Sequence, residues 1–277
     1  MLGAAAVVRP GNVTLSAVAV AIGAVVAVGP SALPTLAVPL ALAAAAAAAF
    51  TAAGNALNDS FDAETDRVNH PDRPIPRGLL TPRGALGVAA ALFTLAVILS
   101  VFVTWESLLV VLLNLAFMAS YEVALKARGA SGNVLIAYLV GSLFLFAGTS
   151  TYGGDGAALA RAGVLALLAA LATLGREIAK DIEDVRGDVD RTTLPKALGS
   201  ERAGVLASAA FATAAGLSVL PYVLGILPLL YLLIVLAADA ILIYCALFSA
   251  STERRIGRVS KYGMVLALMA FLAGALG

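Results

Sequence analysis

Two short acidic stretches of the sequence contain residues that could bind a metal ion and phosphate. Aspartates stand at relative positions 0, 3 and 7 in the first stretch, and the same spacing recurs 122 residues later. The two sets are Asp59, Asp62 and Asp66, and Asp181, Asp184 and Asp188. Positions 0, 3 and 7 fall on one face of a helix, so each stretch presents three carboxylates in one direction. Carboxylates gathered in this way repel one another unless a cation binds, and Mg²⁺ carrying phosphate is the usual one.

The composition indicates an integral membrane protein. The chain has 277 residues, of which 61% are hydrophobic and 13% charged, whereas soluble domains average about 45–50% apolar and about 25% charged residues. The net charge of +1 argues against a nucleic-acid partner, which favours a strongly basic protein. The single histidine, His70, and the single cysteine, Cys245, exclude a histidine-based metal cluster and an intrachain disulfide.

Nine apolar segments reach the length of about 20 residues that a membrane-spanning helix needs. They cover roughly residues 12–29, 33–57, 84–104, 107–125, 132–150, 160–180, 201–219, 222–248 and 259–276. A short link at Trp105–Glu106 joins the third and fourth. The sequence therefore predicts an all-α, multi-pass protein of the cell membrane with nine transmembrane helices and contacts to membrane lipids.

The positive charges predict the orientation. Nine spans place the N-terminus and the loops at 58–83, 126–131, 181–200 and 249–258 on one side of the membrane. Of the 18 Lys and Arg residues, only Arg161 falls on the other side. Because Lys and Arg are enriched in cytoplasmic loops, the first side is predicted to be cytoplasmic. An active site built from the two acidic stretches would then open toward the cytoplasm.

The repeated aspartate spacing indicates an internal duplication. Each stretch continues to a proline and then to Gly78 or Gly199, and four spans, an even number, separate the two. The simplest interpretation is a single membrane domain, 1–277, built from two related four-helix units and a terminal helix around a central cavity. The units are 1–131 with the acidic loop 58–83, 132–248 with the acidic loop 181–200, and the terminal helix 249–277. Coincidence is the alternative, because acidic cytoplasmic loops are not rare.

Spacing within each stretch indicates how a cation could be shared. Asp62 and Asp66 lie four residues apart, as do Asp184 and Asp188, and Asn58 precedes Asp62 by four. Such pairs can bridge an ion, and a diphosphate held between two Mg²⁺ sites becomes a good leaving group. Bases on the same side that could neutralise the remaining charge include Arg67, Arg73, Arg77, Lys126 and Lys180. The alternative is a solvated charged loop whose acids pair with these bases.

The string that starts at Asn58 resembles a known family. It reads NDxxDxxxDRxxxPxRPIPxG, is followed downstream by DxxDxxxD, and lies on nine spans. This pattern is similar to the UbiA superfamily of intramembrane prenyltransferases, over nearly the whole chain. The resemblance implies that Mg²⁺ and an isoprenyl diphosphate bind at the two motifs. The diphosphate then leaves an allylic carbocation, which an acceptor captures inside a lipid-lined cavity.

The resemblance also implies roles for particular residues. The implied metal ligands are Asn58, Asp62, Asp66, Asp181, Asp184 and Asp188. The implied catalytic residues are Asp62, Asp66, Asp184, Asp188 and Lys126. The substrate-binding residues that the resemblance implies are Asn58, Tyr121, Lys126, Arg9 and Asn12. The bases near the acidic stretches add Arg67, Lys180, Arg73 and Arg77 to the predicted substrate-binding set. Tyr121 and Lys126, in the string YEVALK, resemble the family element that engages the diphosphate, and Arg9 is read equally well as an anchor at the membrane surface.

The residues before the second motif indicate which acceptor the protein uses. Arg176, Glu177 and Lys180, in GREIAKDIEDVRGD, resemble most closely the archaeal branch of the family. That branch prenylates geranylgeranylglyceryl phosphate, a lipid acceptor, with geranylgeranyl diphosphate as donor. Because this acceptor carries its own phosphate, the cytoplasmic Arg73 and Arg77 would suit it. An aromatic acceptor, such as 4-hydroxybenzoate or a quinone or tetrapyrrole precursor, is the alternative.

Three other protein classes share parts of the pattern. Soluble isoprenoid synthases use paired aspartate motifs on helices, but nine spans exclude them. CDP-alcohol transferases would need a DGxxAR element, which the sequence lacks. A membrane transporter is the distant alternative, because transporters place charged residues near the middle of the membrane, whereas these acids gather at one face.

Overall fold

The computed structural model of the chain describes residues 6–122, 129–151, 153, 155–185, 192–251 and 254–277. Within these ranges the regular secondary structure is helical. Eight helices are long and apolar enough to cross a membrane, and a further apolar helix, Trp105–Ser120, has 16 residues. The predicted all-α, multi-pass fold with nine membrane helices is confirmed for the part of the chain that the structure describes.

Besides a 3₁₀ helix at Pro30–Ala32, twelve α-helices follow one another along the described residues, nine of them long and apolar and three of them short. They are α1 Pro10–Val28, α2 Leu33–Phe61, α3 Ala63–Asn69, α4 Pro82–Val101, α5 Trp105–Ser120, α6 Ala130–Ser150, α7 Gly156–Asp184, α8 Leu194–Leu198, α9 Ser200–Leu217, α10 Leu220–Val223, α11 Leu229–Leu247 and α12 Ile256–Leu276. The short ones are α3, α8 and α10. The division into two duplicated four-helix units stays a prediction.

Two boundaries differ from the predicted ones, for local reasons. The apolar segment predicted at 222–248 is interrupted after α10, where Gly225 adopts the left-handed φ of 67°. The link predicted at Trp105–Glu106 belongs to α5 instead. Thr104 caps this helix, since its hydroxyl accepts a hydrogen bond of 3.0 Å from the N–H of Ser107, and a capping hydroxyl of this kind fixes a helix start.

Small residues allow the helices to approach one another closely. Ala43, Ala46 and Ala47 of α2 are buried in a cluster shared with α1, α5 and α6. Between α6 and α7, a Cβ atom on Gly141 would lie only 2.6 Å from the carbonyl oxygen of Ala166. Because lipid is as apolar as the helices themselves, such close van der Waals contact is what holds membrane helices together.

Polar contacts between helices occur at both ends of the bundle. At one end, Asn58 of α2 is hydrogen-bonded to Glu122, and Asn133 of α6 to Asp181 of α7. At the opposite end, the guanidinium of Arg161 donates to a carbonyl in the last turn of α1 at 2.9 Å. The fold therefore brings the two acidic stretches to the same end, as the even number of spans between them requires.

Candidate active site

The first acidic motif lies where α2 passes into α3. Asp59 is in the last turn of α2, Asp62 is the residue between the two helices, and Asp66 is in α3. The backbone of Asp62 stays close to helical, because its N–H donates to the carbonyl of Asn58 at 2.9 Å and its carbonyl accepts from the N–H of Asp66 at 2.8 Å. The helical periodicity continues across the break. The side chains of the three aspartates are all buried.

Two arginines supply positive charge to this motif. The guanidinium of Arg73 lies 2.6 Å from each carboxylate oxygen of Asp66 and 3.7 Å from the nearer oxygen of Asp59. Arg9, just before α1, forms an ion pair with Asp59. Burying a charge costs several kcal/mol unless it is paired, so these arginines allow the aspartates to lie inside the protein. One oxygen of Asp59, Oδ2, is buried and has no hydrogen-bond partner among the described residues.

Arg67 and Asn12 lie apart from this arrangement. The guanidinium of Arg67 pairs with Glu64 at 2.9 Å, and these two side chains are 65% and 81% exposed. Asn12 is half-buried in the first turn of α1. Within the described residues, neither side chain forms a hydrogen bond or ion pair with the aspartates. Their substrate-binding roles stay predictions.

Asn58 is held by a residue at the end of α5. Its Nδ2 donates to Oε1 of Glu122 at 3.1 Å, and Glu122 is buried. An ionised carboxylate can only accept hydrogen bonds, so the amide must turn its NH₂ group toward Glu122 and its oxygen elsewhere. The contact therefore orients Asn58 as an oxygen donor next to Asp62.

The second acidic motif begins in the last turn of α7. Asp181 is half-buried, and its Oδ2 accepts a hydrogen bond of 3.0 Å from Nδ2 of Asn133. Asp184, the last residue of the helix, is exposed. The predicted ligand Asp188 and the predicted catalytic residue Lys126 both lie outside the described residues.

An ionic cluster precedes the second motif on α7. Glu177, which is 9% exposed, is paired with Arg176, and the ammonium of Lys180 lies 2.8 Å from its Oε2. Lys180 follows Glu177 by three residues, the spacing at which helical side chains meet. The cluster therefore fixes the Lys180 ammonium one turn from Asp184.

Two cavities lie beside the motifs. The smaller, of about 80 Å³, has Asp181 and Asp184 in its wall together with Tyr121, Lys180 and Asn133. The larger, of about 390 Å³, lies beside the first motif. Its charged and polar lining residues are Arg9, Asp59, His70, Asp72, Arg73 and Arg77. Of its three arginines, Arg77 is exposed and has no ion pair within the described part of the chain.

The oxygen donors of the two motifs fit Mg²⁺. Mg²⁺ takes carboxylate and carbonyl oxygens and binds through one or two carboxylates plus substrate phosphates. The motifs offer such groups, and the unpartnered Oδ2 of Asp59 is the kind of buried atom that a cation or an ordered water satisfies. Among the described residues, no three acidic, histidine or cysteine side chains stand close enough to form a metal site on their own. Phosphate oxygens and water are the usual further ligands of Mg²⁺.

Two residues of the site, Glu122 and Asn133, had no predicted role. They orient Asn58 and Asp181, but no spacing in the sequence links residues that lie 64 and 48 positions apart. Asp59 belongs to the 0, 3, 7 pattern, and in the structure it forms an ion pair with Arg9, which precedes α1. The sequence feature that could have pointed to Glu122 was its position next to Tyr121 in the string YEVALK.

Comparison with known proteins gives a match over almost the whole chain. The model of the UbiA prenyltransferase family matches residues 16–273. A digeranylgeranylglyceryl phosphate synthase of Natronomonas pharaonis is 39% identical over 281 residues, which cover 99% of this chain and 97% of that protein.

Solved structures give the same fold. A structure from work on digeranylgeranylglyceryl phosphate synthase in membranes has a TM-score of 0.79 at 30% identity, over 99% of this chain and 98% of that one. A UbiA homologue from Archaeoglobus fulgidus, bound to GPP and Mg²⁺, has a TM-score of 0.66 at 13% identity, over 99% of both chains.

Proposed function

Because the chain belongs to the UbiA prenyltransferase family, we propose that it transfers a geranylgeranyl group from geranylgeranyl diphosphate to geranylgeranylglyceryl phosphate. The observation that carries this proposal is the full-length similarity to the Natronomonas pharaonis enzyme. In the reaction, the bond between C1 of the donor and its diphosphate oxygen breaks. An ether bond forms between C1 and the free hydroxyl oxygen of the acceptor, and the hydroxyl proton is released with the diphosphate.

The two acidic motifs are proposed to hold the donor diphosphate. The residues that would hold Mg²⁺ are Asn58, Asp62, Asp66, Asp181, Asp184 and Asp188, and when bound the metal supplies positive charge to the departing diphosphate. The solved structure of the Archaeoglobus fulgidus homologue contains GPP and Mg²⁺ in the same fold. In this chain, Lys180 is fixed by Glu177 at 2.8 Å, and it lines the smaller cavity with Asp181 and Tyr121, which favours a role at the diphosphate.

The larger cavity is proposed to receive the phosphate of the acceptor. Arg9, Arg73 and Arg77 all line it, and arginines bind phosphate with paired, charge-assisted hydrogen bonds. Arg9 and Arg73 are already engaged with aspartates, whereas Arg77 is exposed to the cavity without an ion pair in the described residues. Arg77 is therefore the guanidinium best placed to bind an acceptor phosphate, a group that the glycerophosphate lipid carries and that 4-hydroxybenzoate lacks.

The active site is proposed to open toward the cytoplasm. In the topology predicted from the sequence, 17 of the 18 Lys and Arg residues, all except Arg161, belong to the same side of the membrane as both motifs. The positive-inside rule assigns such a side to the cytoplasm. Water-soluble diphosphate is released there, while the prenyl chains of donor and acceptor enter from the bilayer.

A two-acceptor assay tests the proposed function. The purified protein in detergent or liposomes receives Mg²⁺ and geranylgeranyl diphosphate, with geranylgeranylglyceryl phosphate in one reaction and 4-hydroxybenzoate in the other. We expect prenylated product, identified by mass, only with the glycerophosphate lipid, and none from the Asp62→Ala variant. Conversion of 4-hydroxybenzoate instead would move the enzyme to an aromatic acceptor. Absence of product in both reactions, with Asp62→Ala and the wild type alike, would refute prenyl transfer by these motifs.

A further inference from the structure

The connection between α5 and α6 reaches both acidic motifs. Glu122, two residues after α5, accepts a hydrogen bond from Asn58 of the first motif at 3.1 Å. Asn133, in the first turn of α6, donates to Asp181 of the second motif at 3.0 Å. These two contacts start from positions only eleven residues apart in the sequence, but they end on helices α2 and α7.

We infer that Glu122 and Asn133 are positioning residues, which orient one metal ligand in each motif and keep the two motifs in register. The inference rests on the proposed function, because it requires that Asn58 and Asp181 bind Mg²⁺. Neither Glu122 nor Asn133 is assigned a contact with the substrate. Each acts through the ligand to which it is hydrogen-bonded.

The first contact selects which atom Asn58 presents. Glu122 is 7% exposed, and its carboxylate accepts hydrogen bonds but does not donate them when ionised. The NH₂ group of Asn58 is therefore turned toward Glu122, which leaves the carbonyl oxygen as the atom available to a cation. Without an acceptor at position 122, the amide can rotate by half a turn and present hydrogen atoms to the cation.

The second contact fixes the plane of a carboxylate. The amide of Asn133, a residue that is 7% exposed, donates to one oxygen of Asp181 and so limits rotation of that group about its Cβ–Cγ bond. Mg²⁺ demands nearly ideal octahedral geometry, so a fixed ligand binds it better than a rotating one. Outer partners of metal ligands contribute in this way, and their loss costs about 10–100-fold in metal affinity.

A third contact ties the same connection to the segment after the second motif. The N–H of Gly129 donates to the carbonyl of Thr192 at 2.7 Å, and Gly129 has a left-handed φ of 57°, a conformation that glycine adopts without strain. Tyr121 and Asn133, on either side of this point, both line the cavity that contains Asp181 and Asp184. The described residues that precede and follow positions 123–128 therefore both lie against the site.

Mg²⁺-dependent thermal unfolding tests the inference without relying on turnover. The purified protein is titrated with Mg²⁺ in detergent, and the midpoint of the Mg²⁺-induced rise in Tm is compared among variants. We expect Glu122→Leu and Asn133→Ala each to raise this midpoint about tenfold. Glu122→Gln retains a carbonyl that accepts from Asn58, and it should stay within about threefold of the wild type.

The matched control removes a buried hydrogen bond between α5 and α6, the helices on either side of this connection. Nδ2 of Asn114 in α5 donates to Oγ of Ser142 in α6 at 2.8 Å, and both residues are buried away from the motifs. Asn114→Leu should lower the Tm measured without Mg²⁺ but leave the Mg²⁺ midpoint unchanged. If the control shifts the midpoint as much as Glu122→Leu does, general loosening of α5 and α6 explains the effect and the inference is wrong.

The outcomes separate this inference from the proposed function. A wild-type protein whose Tm rises with Mg²⁺, with Glu122→Leu and Asn133→Ala showing the same midpoint, overturns the positioning roles alone. A wild-type protein with no Mg²⁺ response overturns the metal site and the positioning roles together. If Glu122→Leu does not fold, the Asn133→Ala variant still tests the inference, because it alters the contact to the second motif.

Discussion

Replacing Arg73 by alanine should destabilise the protein in a way that Mg²⁺ partly reverses. Arg73 lies 2.6 Å from both oxygens of Asp66 and 3.7 Å from Asp59, and the side chains of these two acids are only 4% and 2% exposed. Its removal leaves Asp66 as a buried charge that has lost this partner, whereas Asp59 keeps Arg9.

The size of the effect follows from the burial of the pair. Breaking a buried ion pair by removing one partner costs about 3–5 kcal/mol. The guanidinium of Arg73 is itself 26% exposed, so water screens part of the interaction, and we expect a loss of about 2–3 kcal/mol. In the wild type Mg²⁺ must compete with Arg73 for Asp66, whereas in the variant it does not. Both proteins are stabilised by Mg²⁺, so at saturation the deficit shrinks by RT ln of the ratio of their dissociation constants, which is about 1.4 kcal/mol if the variant binds tenfold more tightly.

The assay is thermal unfolding of both proteins with and without saturating Mg²⁺. The control is Arg67→Ala, because Arg67 pairs with Glu64 on the exposed surface, and such pairs contribute at most about 1 kcal/mol. We expect a large Tm deficit for Arg73→Ala without Mg²⁺, a smaller one with it, and almost none for Arg67→Ala. A deficit for Arg73→Ala that Mg²⁺ leaves unchanged would refute the competition between the arginine and the metal.

Three further predictions concern the acceptor, the metal and the bundle. Arg77→Ala should raise KM for the phosphate-bearing acceptor by about tenfold or more and leave KM for geranylgeranyl diphosphate unchanged. The reason is that the guanidinium lines the larger cavity and that a charged hydrogen bond contributes about 1.5–3 kcal/mol. Equal shifts in both KM values would contradict this. Chelation should abolish prenyl transfer, and Mg²⁺ but not Na⁺ should restore it, since a monovalent ion supplies too little charge to the leaving diphosphate; full activity in excess chelator would be the contrary result. Gly141→Leu should lower the free energy of unfolding by about 1–3 kcal/mol through overpacking, because even its Cβ would lie 2.6 Å from the carbonyl oxygen of Ala166. An unchanged Tm would show that α6 and α7 can move apart without a loss of stability.

Much of the fold followed from local patterns in the sequence. Helix length and apolar composition located the membrane helices, since each span must satisfy its own backbone in lipid. The family resemblance drawn from the Asn58 string is confirmed by the family match over residues 16–273. The 0, 3, 7 spacing assumed a helical backbone, and the backbone does stay close to helical through Asp62; that the three aspartates act together stays a prediction.

The parts of the site that could not be predicted depend on contacts between distant residues. The pairing of Arg9 with Asp59 spans 50 positions, and periodicity within one helix carries no information about which arginine reaches which acid. The same limit applies to Glu122 with Asn58, which meet only because α2 and α5 end side by side. Arg67 shows the converse: it directly follows Asp66 in the sequence, yet it pairs with Glu64 on the surface.

The central claim is that the two acidic motifs hold one diphosphate between them. A double-mutant cycle tests it most directly, with Mg²⁺-dependent binding of a non-reactive thiolo analogue of geranylgeranyl diphosphate measured for Asp62→Asn, Asp184→Asn and the double variant. Groups that act as a unit are strongly non-additive, so we predict that the double variant binds no more than about threefold more weakly than the weaker single variant. Losses that multiply in the double variant would show two independent sites and contradict the account.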